Sequence, residues 1–263
     1  MRKGKRVLPV IYRLLLLLWI SLVAFGCGTV GIRSDGGGQS GPIIPPKHPV
    51  SQYVDPNANY QIDIYDPLER FNRSMYVFNA KFDDYVFIPA VNFYRAITPN
   101  FVEDRISNFF SNVRDLRNFI NAVLQLKWET SLNTGARLVY NTTFGILGLW
   151  DPATFMGIPQ QTEDFGQTLG HYGVGEGPYL VLPILGPYNL RDTTGLVADT
   201  ATFSAIDPFN FENYTVRGVF YTLLNGIDIR ERIDFRYYET GSPFEYDLVR
   251  LLYTRYRQIE IEK

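Results

Sequence analysis

Cysteine and histidine are scarce in this chain. The 263 residues contain one cysteine, Cys27, and two histidines, His48 and His171. A single cysteine excludes disulfide bonds within the chain, and the lack of a second histidine at ligand spacing argues against a metal site. A Ser-His-Asp hydrolase would have to use His171, yet no Gly-x-Ser-x-Gly motif presents a serine nucleophile. The sequence therefore predicts a protein that is not an enzyme and holds no metal or cofactor.

Long apolar runs are missing after the N-terminal leader. The sequence therefore predicts no ordinary transmembrane helix, which needs about 18 or more apolar residues in succession. The leader has basic residues between Arg2 and Arg13, then the apolar run Leu14 to Phe25, and then Gly26-Cys27. This order is typical of a bacterial lipoprotein signal peptide. We expect residues 1–26 to be removed and Cys27 to be acylated, which anchors the chain because each buried methylene contributes about 0.8 kcal/mol.

The cleavage region leaves a second interpretation open. Ala24 stands where lipoprotein signals usually have leucine. Ala24-Phe25-Gly26 also suits ordinary signal peptidase, which would leave a soluble protein with a free thiol at Cys27. A free thiol is readily oxidised in an oxidising compartment, and acylation removes it, so lipidation is favoured. Gly28 follows the cysteine in place of the aspartate that retains lipoproteins at the inner membrane, and this favours sorting to the outer membrane.

Basic residues are not in excess. Five of the 25 Lys and Arg side chains lie in residues 1–26 and none of the 27 Asp and Glu side chains does, so the chain from Cys27 onwards has seven more acidic than basic groups. This balance argues against a nucleic acid partner. Residues 27–60 are rich in Gly, Ser and Pro without an apolar period. They predict a lipidated N-terminus and flexible tether, followed by one domain over 61–259 and a short tail over 260–263.

The first predicted helix begins at Asp66-Pro67-Leu68-Glu69, which has the acidic cap, early proline and later carboxylate of a helix start. Apolar residues then recur every three or four positions until Pro89, which is expected to end the helix. They are Leu68, Phe71, Met75, Phe78, Phe82 and Val86. The other side carries polar residues, among them Asn72, Arg73, Asn79 and Asp83. The apolar stripe either packs on a protein core or faces hydrocarbon, and the pattern leaves both open.

Further amphipathic helices are indicated over 102–140, 215–235 and 243–259. The region 141–190 has instead glycines spaced through extended and turn-like sequence. Its segment Gly173-Val174-Gly175-Glu176-Gly177 superficially suggests a phosphate loop, but the Lys and Ser/Thr that should follow are absent, so nucleotide binding is not expected. Aromatic residues make up 15% of the chain, which suits either a membrane interface or an aromatic core.

Several longer motifs occur in a fixed order along the chain. They are DPLERFNRSMYVFN from Asp66, NTTFG from Asn141, EDFGQTLG from Glu163, YGVG from Tyr172, GPY from Gly177 and LRD from Leu190. Together they resemble the MlaA/VacJ family of outer-membrane lipoproteins over about residues 60–258. The chain departs from the family pattern at Ile146-Leu147-Gly148-Leu149-Trp150 and in lacking a longer acidic C-terminal tail.

The resemblance implies a mostly α-helical fold, a ring-like bundle of amphipathic helices embedded in the outer membrane with a glycine-rich loop region. It implies lipid anchoring, a periplasmic face and a trimeric outer-membrane porin as neighbour. Its implied function is retrograde phospholipid transport in the Mla pathway. Phospholipids mislocalised in the outer leaflet would pass through a polar channel to a soluble, MlaC-like periplasmic carrier, which maintains lipid asymmetry.

Six polar residues are the candidates for shaping or lining that path, namely Asn72, Arg73, Asn79, Asp83, Arg191 and Asp192. Arginine suits a lipid phosphate because its planar donors bind two oxygens at once. The rival assignment is that these groups form buried ion pairs and caps that hold the fold together. Two alternative functions also stay open: an outer-membrane phospholipase, which would need a nucleophile that the sequence does not reveal, and a porin-bound scaffold without a conduit.

Overall fold

The structure, a computed structural model, describes residues 64–206, 216–239 and 241–263. The predicted signal peptide, the lipidation site Cys27 and the tether lie outside these ranges. The described residues are mostly helical, as predicted, and include one two-stranded sheet. The helices are α1 (Glu69–Phe82), α2 (Ile88–Ile97), α3 (Asn100–Leu124), α4 (Trp128–Thr143), α5 (Pro152–Phe155), α6 (Phe165–His171), α7 (Leu190–Ile206), α8 (Val216–Glu231) and α9 (Glu245–Glu262). The strands are β1 (Tyr179–Leu182) and β2 (Gly186–Asn189).

The start of α1 differs from the prediction. The helix begins at Glu69 after Leu68, and no side chain caps it. The Asp66 carboxylate, predicted as the cap, instead accepts hydrogen bonds from Asn72 Nδ2 at 2.7 Å and from Tyr246, and forms an ion pair with Arg250 at 3.0 Å. A long-range ion pair with the partly buried Arg250 therefore takes the place of the local cap.

Pro89 does not end the first helical segment, contrary to the prediction. A π-helical segment, Asp83–Phe87, follows α1 directly, and α2 then continues through the proline. Pro89 lies in the first turn of α2, where a missing backbone N–H costs no intrahelical hydrogen bond. The residues on both sides of the junction, Phe82, Phe87 and Ile88, have right-handed helical dihedrals, so the chain stays helical from α1 into α2.

The second predicted helical stretch, 102–140, is divided in the structure. Helix α3 ends at Leu124 and α4 begins at Trp128, and Leu126 between them has a φ of 58°. A left-handed residue without glycine costs free energy, so the turn is held by hydrogen bonds on either side. Gln125 donates from its backbone to Asn121 O, and Lys127 donates to Ala122 O. The turn lets α3 pack along α4.

The glycine-rich region contains the sheet, and a helix follows it that the sequence analysis did not predict. Strands β1 and β2 are antiparallel, with Leu180 opposite Tyr188. Helix α7 begins after Asn189, whose side-chain oxygen accepts from the Asp192 backbone N–H at 2.7 Å. Helices α6 and α7 touch through glycines, since a Cβ on Gly195 would lie 2.3 Å from Gly166 N. The absence of a side chain at Gly195 is therefore what allows α6 and α7 to approach so closely.

The later predictions fit more closely. Helices α8 and α9 lie within or near the predicted stretches 215–235 and 243–259. The last helix extends to Glu262, however, so most of the predicted tail over 260–263 is helical. None of the helices in the described ranges combines the length and the apolar character needed to cross a membrane.

The most informative feature of the fold is where its polar and apolar side chains lie. Among the buried side chains of the described residues, polar and charged ones outnumber hydrophobic ones. Many large hydrophobic side chains are exposed instead, such as Phe71 on α1, Leu132 on α4 and Phe220 on α8. A water-soluble domain has the reverse arrangement. A small aromatic core remains, where Tyr76, Tyr179 and Tyr246 pack edge to face.

Candidate functional site

Asn72 and Asn79 join α1 to the hairpin. Asn72 Nδ2 donates to Tyr179 O at 2.9 Å while its Oδ1 accepts from the Val181 backbone N–H at 2.9 Å. Asn79 repeats this arrangement two turns later, donating to Leu182 O at 2.9 Å and accepting from Ile184 N–H at 2.7 Å. Each amide thus bonds one carbonyl and one N–H of the hairpin backbone, as a neighbouring strand would: Asn72 within β1, and Asn79 at the end of β1 and in the turn after it. Both residues are buried and hold α1 against the sheet.

Asp83 stands at the start of the π-helical segment and holds Arg230, the penultimate residue of α8. Arg230 Nη2 donates to Asp83 Oδ2 at 2.7 Å, and Arg230 Nε donates to the other carboxylate oxygen. The same guanidinium donates to Ile233 O at 2.6 Å and to Phe235 O at 3.1 Å. The bidentate contact and the Coulomb attraction of Asp83 raise the pKa of Arg230. This cluster ties the π-helical segment to the chain that follows α8.

A cavity of about 440 Å³ lies beside the Asp83–Arg230 pair. Its walls are contributed by α1, the π-helical segment, the hairpin turn, the segment after α8 and α9. Most of the lining is apolar, and Asn79, Asp83 and Arg230 contribute polar groups to it. Three tyrosines also line it, namely Tyr237, Tyr253 and Tyr256. The remaining lining includes Phe82, Phe87, Leu185, Ile233, Phe235, Val249 and Leu252. A cavity of this size, with an apolar wall and a few polar groups, is of the kind that holds small organic ligands.

Arg191 and Asp192 belong to a second ionic network, between α6, α7 and α9. Asp192 accepts from Arg257 Nε at 2.8 Å, from Tyr253 OH at 2.6 Å and from Arg191 Nε at 3.1 Å. Arg257 also binds both oxygens of Asp164, at 2.7 and 2.8 Å. Burial alone would raise the pKa of Asp164, but the hydrogen bonds and charge of Arg257 hold it below its usual value.

Arg73 is the most exposed of the six predicted site residues. Its Nε pairs with Glu69 Oε1 at 2.7 Å and its Nη2 with Asp247 Oδ2 at 3.0 Å. The guanidinium also lies over the Tyr246 ring, 4.2 Å from its centroid. The structure therefore gives each of the six residues partners within the chain, and it brings only Asn79 and Asp83 to the cavity.

A third network was missed by the sequence analysis. Arg137 of α4 is fully buried and donates to Asp115 Oδ2 at 3.1 Å, to Asp151 Oδ2 at 2.9 Å, to Thr154 and to Ile158 O. Asp151 also caps α5 through the Thr154 backbone N–H. The signal that could have found this network is a polar stripe on α3, opposite its apolar residues. The stripe consists of Asp115, Asn118, Asn121 and Gln125, all of them buried.

His171 and the acidic residues form no metal site in the described parts of the chain. No group of three or more His, Cys, Asp or Glu side chains there could hold a metal ion. His171 ends α6, and its ring contacts the Tyr172 ring edge to face, with centroids 5.2 Å apart.

Residues 64–260 match the family model of the MlaA lipoproteins, which covers the described body of the chain almost from end to end. The chain belongs to the MlaA lipoprotein family. This membership confirms the resemblance drawn from the sequence motifs.

Curated MlaA relatives include a protein named intermembrane phospholipid transport system lipoprotein MlaA from Escherichia coli K12. The identity is 41% over 139 residues, which are 51% of this chain and 55% of that protein. An uncharacterized protein of Rickettsia conorii is 44% identical over 141 residues, 54% of this chain and 56% of its own length. The chain thus spans little more than half the length of these relatives.

A solved structure is also similar to this chain. It was determined in work on the structural basis for maintenance of bacterial outer membrane lipid asymmetry. The match covers 74% of this chain and 98% of that chain, at 30% sequence identity and a TM-score of 0.60. The two chains therefore share the helical fold described above.

Proposed function

We propose that this chain is an outer-membrane lipoprotein of an intermembrane phospholipid transport system. In this role it removes phospholipids mislocalised in the outer leaflet and so maintains lipid asymmetry. Membership of the MlaA family supports this assignment, as do the name of the Escherichia coli relative and the subject of the similar solved structure. Acylation at Cys27 anchors the chain, and the body faces the periplasm.

The observation that carries the proposal is the inverted distribution of side chains. Large hydrophobic residues such as Trp128 and Leu132 are 65% and 74% exposed, whereas Arg137 on the same helix is buried. Exposed apolar surface of this extent is unfavourable in water and favourable in hydrocarbon. Helices satisfy their own backbone hydrogen bonds, as a lipid environment requires. We therefore place the helices in the membrane, with their apolar faces towards acyl chains.

The polar interior suits a path for headgroups. A phospholipid resists crossing a bilayer because its charged headgroup must leave water, which costs many kcal/mol in an apolar medium. A polar conduit lowers this barrier without work being done on the lipid. Because a passive path cannot shift an equilibrium, direction comes from the affinity of a downstream periplasmic carrier. A trimeric porin beside the chain and an MlaC-like carrier below it complete this proposal.

The six predicted residues take different roles in this proposal. Asn79 and Asp83 line the cavity, so they are the ones we assign to contact with lipid. Asn72, Arg191 and Asp192 are buried and hydrogen-bonded to neighbouring elements, which suits the rival role of holding the fold. Arg73 lies at the surface between α1 and α9. We propose that the cavity receives an acyl chain of the transported lipid.

The test is a transfer assay with the purified acylated protein in vesicles that carry labelled phospholipid. Intact lipid appearing in the periplasmic carrier is the expected result. Release of fatty acid would instead favour a phospholipase, and a complex with porin that never accelerates lipid exchange would favour a scaffold. Val249→Trp narrows the cavity and is expected to slow transfer. Val219→Trp is the matched control, because Val219 is exposed on α8.

A further inference from the structure

Three arginines, two partly buried on α3 and one exposed just after α8, lie close together. Arg114 Nη2 donates to Ser111 Oγ at 3.0 Å, and Arg232 Nη1 approaches the same hydroxyl at 3.5 Å. Arg117 follows Arg114 by three positions, which places it on the same face of α3. Two guanidinium groups thus meet at one hydroxyl, with a third one turn away.

The cluster carries more positive charge than its acidic neighbours balance. Arg114 and Arg232 share the carboxylate of Asp228. Asp228 Oδ1 lies 3.1 Å from Arg232 Nη2, and its Oδ2 lies 3.7 Å from Arg114 Nη1. Two nearby carboxylates have other arginines as partners, since Asp115 pairs with Arg137 and Glu231 with Arg95. Asp199 faces Arg117 and keeps its charge, because the groups that donate to it, Asn121 and the Phe165 backbone N–H, are neutral. The three arginines therefore face two carboxylates, Asp228 and Asp199, that no other arginine of the described residues pairs with.

Two donors in the cluster also lack partners within the described residues. Arg114 Nη1 and Arg117 Nε are buried and donate no hydrogen bond. Asp228 Oδ2 also has no hydrogen bond, and it lies 3.7 Å from Arg114 Nη1. A small movement that joined these two atoms would still leave Arg117 Nε without an acceptor, and it would not change the number of charges in the cluster. Burial lowers the pKa of Arg114, and the charge of Arg232 lowers it further. An anion with several acceptor oxygens relieves both the repulsion and the missing hydrogen bonds.

We propose that Arg114, Arg117 and Arg232 form a binding site for a phosphate group, that of a phospholipid headgroup. The inference rests on the proposed function, because it assigns the polar interior a specific contact with the transported lipid. Arg230 and Ile233, which contribute to the cavity, flank Arg232 in the chain. The short segment from Arg230 to Ile233 therefore contributes both to the apolar cavity, which suits an acyl chain, and to the cationic cluster, which suits the phosphate of the same lipid.

The test uses the full acylated protein in non-ionic detergent and dihexanoyl phosphatidylglycerol as the probe, with affinity measured by calorimetry. The R114Q/R117Q variant is expected to bind this lipid about tenfold or more weakly, since charge-assisted hydrogen bonds are lost. Dihexanoylglycerol, which lacks the phosphate, is expected to bind both proteins equally. R217Q/R255Q is the matched control, because Arg217 on α8 and Arg255 on α9 are exposed and their replacement removes the same two charges from the outside.

Unchanged affinity of R114Q/R117Q for the phospholipid would overturn the site. Competition by inorganic phosphate as strong as that of the lipid would overturn its assignment to a headgroup and indicate a site for the free ion. If the double variant does not fold, R114K is used, which keeps the charge but not the planar fork; wild-type affinity in R114K would count against recognition by the guanidinium.

Failure of this site is distinguishable from failure of the proposed function. Phospholipid exposed on the surface of intact cells is labelled with a membrane-impermeant amine reagent in a strain without the native gene. If the wild-type chain does not lower this labelling, the proposed function is wrong. If wild-type and R114Q/R117Q lower it equally and bind lipid equally, only the phosphate site is wrong.

Discussion

Two sets of arginines in this chain, one buried and one partly buried, are used in different ways. Arg137 and Arg257 direct their guanidinium groups at carboxylates and other acceptors from several elements, and they join helices that are distant in sequence. Arg114 and Arg117 lie in the same polar interior but keep buried donors without partners. The difference separates charges that hold the fold from charges that are available to a ligand. Substitutions in the two sets should therefore have different effects.

The largest expected effect is that of Arg137→Met. It leaves the buried carboxylate of Asp115 without its arginine, and removing one partner of a buried ion pair costs about 3–5 kcal/mol. Denaturant unfolding in detergent measures the change in the free energy of unfolding. Arg255→Met is the control at an exposed site, with an expected change within about 0.5 kcal/mol. Similar values for both variants would remove the distinction between the two sets.

The network around Arg257 predicts a dependence of stability on pH. The folded-state pKa of Asp164 lies below its value in the unfolded chain, so its contribution is complete above the ordinary carboxylate pKa of about 4. The contribution is lost as the pH falls through the folded-state value. Thermal unfolding followed from pH 6 downwards should therefore show a smaller loss of stability in Asp164→Asn than in the wild type. Parallel curves would mean that Asp164 is not a source of the acid sensitivity.

Asn79→Ala should have an intermediate effect. It leaves Leu182 O and the Ile184 N–H without partners, and an unsatisfied buried polar group costs about 1–3 kcal/mol. Asn92→Ala, at an exposed position on α2, is the matched control. Chemical unfolding compares the two, and a loss of lipid transfer without a loss of stability would instead indicate that Asn79 acts only on the lipid.

Arg117→Gln should change stability little, by less than about 1 kcal/mol, because the native side chain leaves a buried donor unused and lies near like charges. Unfolding midpoints of this variant and the wild type provide the comparison. A loss as large as that of Arg137→Met would assign Arg117 to the fold.

The smallest effect on the unfolding free energy is expected from Leu132→Ser on the outer face. Leu132 is 74% exposed, so in detergent the change should stay within about 0.5 kcal/mol. Partition of the variant into vesicles should fall, because apolar surface that contacts acyl chains is lost. Unchanged partition would show that this face does not contact lipid.

Local patterns were enough to predict most helices. The stripes on α1, α8 and α9 have a clear apolar period, and period is a property of neighbouring residues. Helix α7 was not predicted, because its contact with α6 is made through Gly195 and Gly166 and glycines do not contribute to an apolar period. The prediction that Pro89 ends the helix was wrong, because the free-energy cost of a proline in a helix depends on its position, and the π-helical segment before it places Pro89 in the first turn of α2.

The sequence by itself determined the helical character, the family and the amphipathic faces, since these follow from residue order. It left open which face points inward, and only the tertiary structure decided that the polar side is buried on α1 and α3. The physical reason is that burial of a polar side chain requires partners, and Asp66, Asp115 and Asp192 find theirs 184, 22 and 65 positions away. No local pattern encodes such distances.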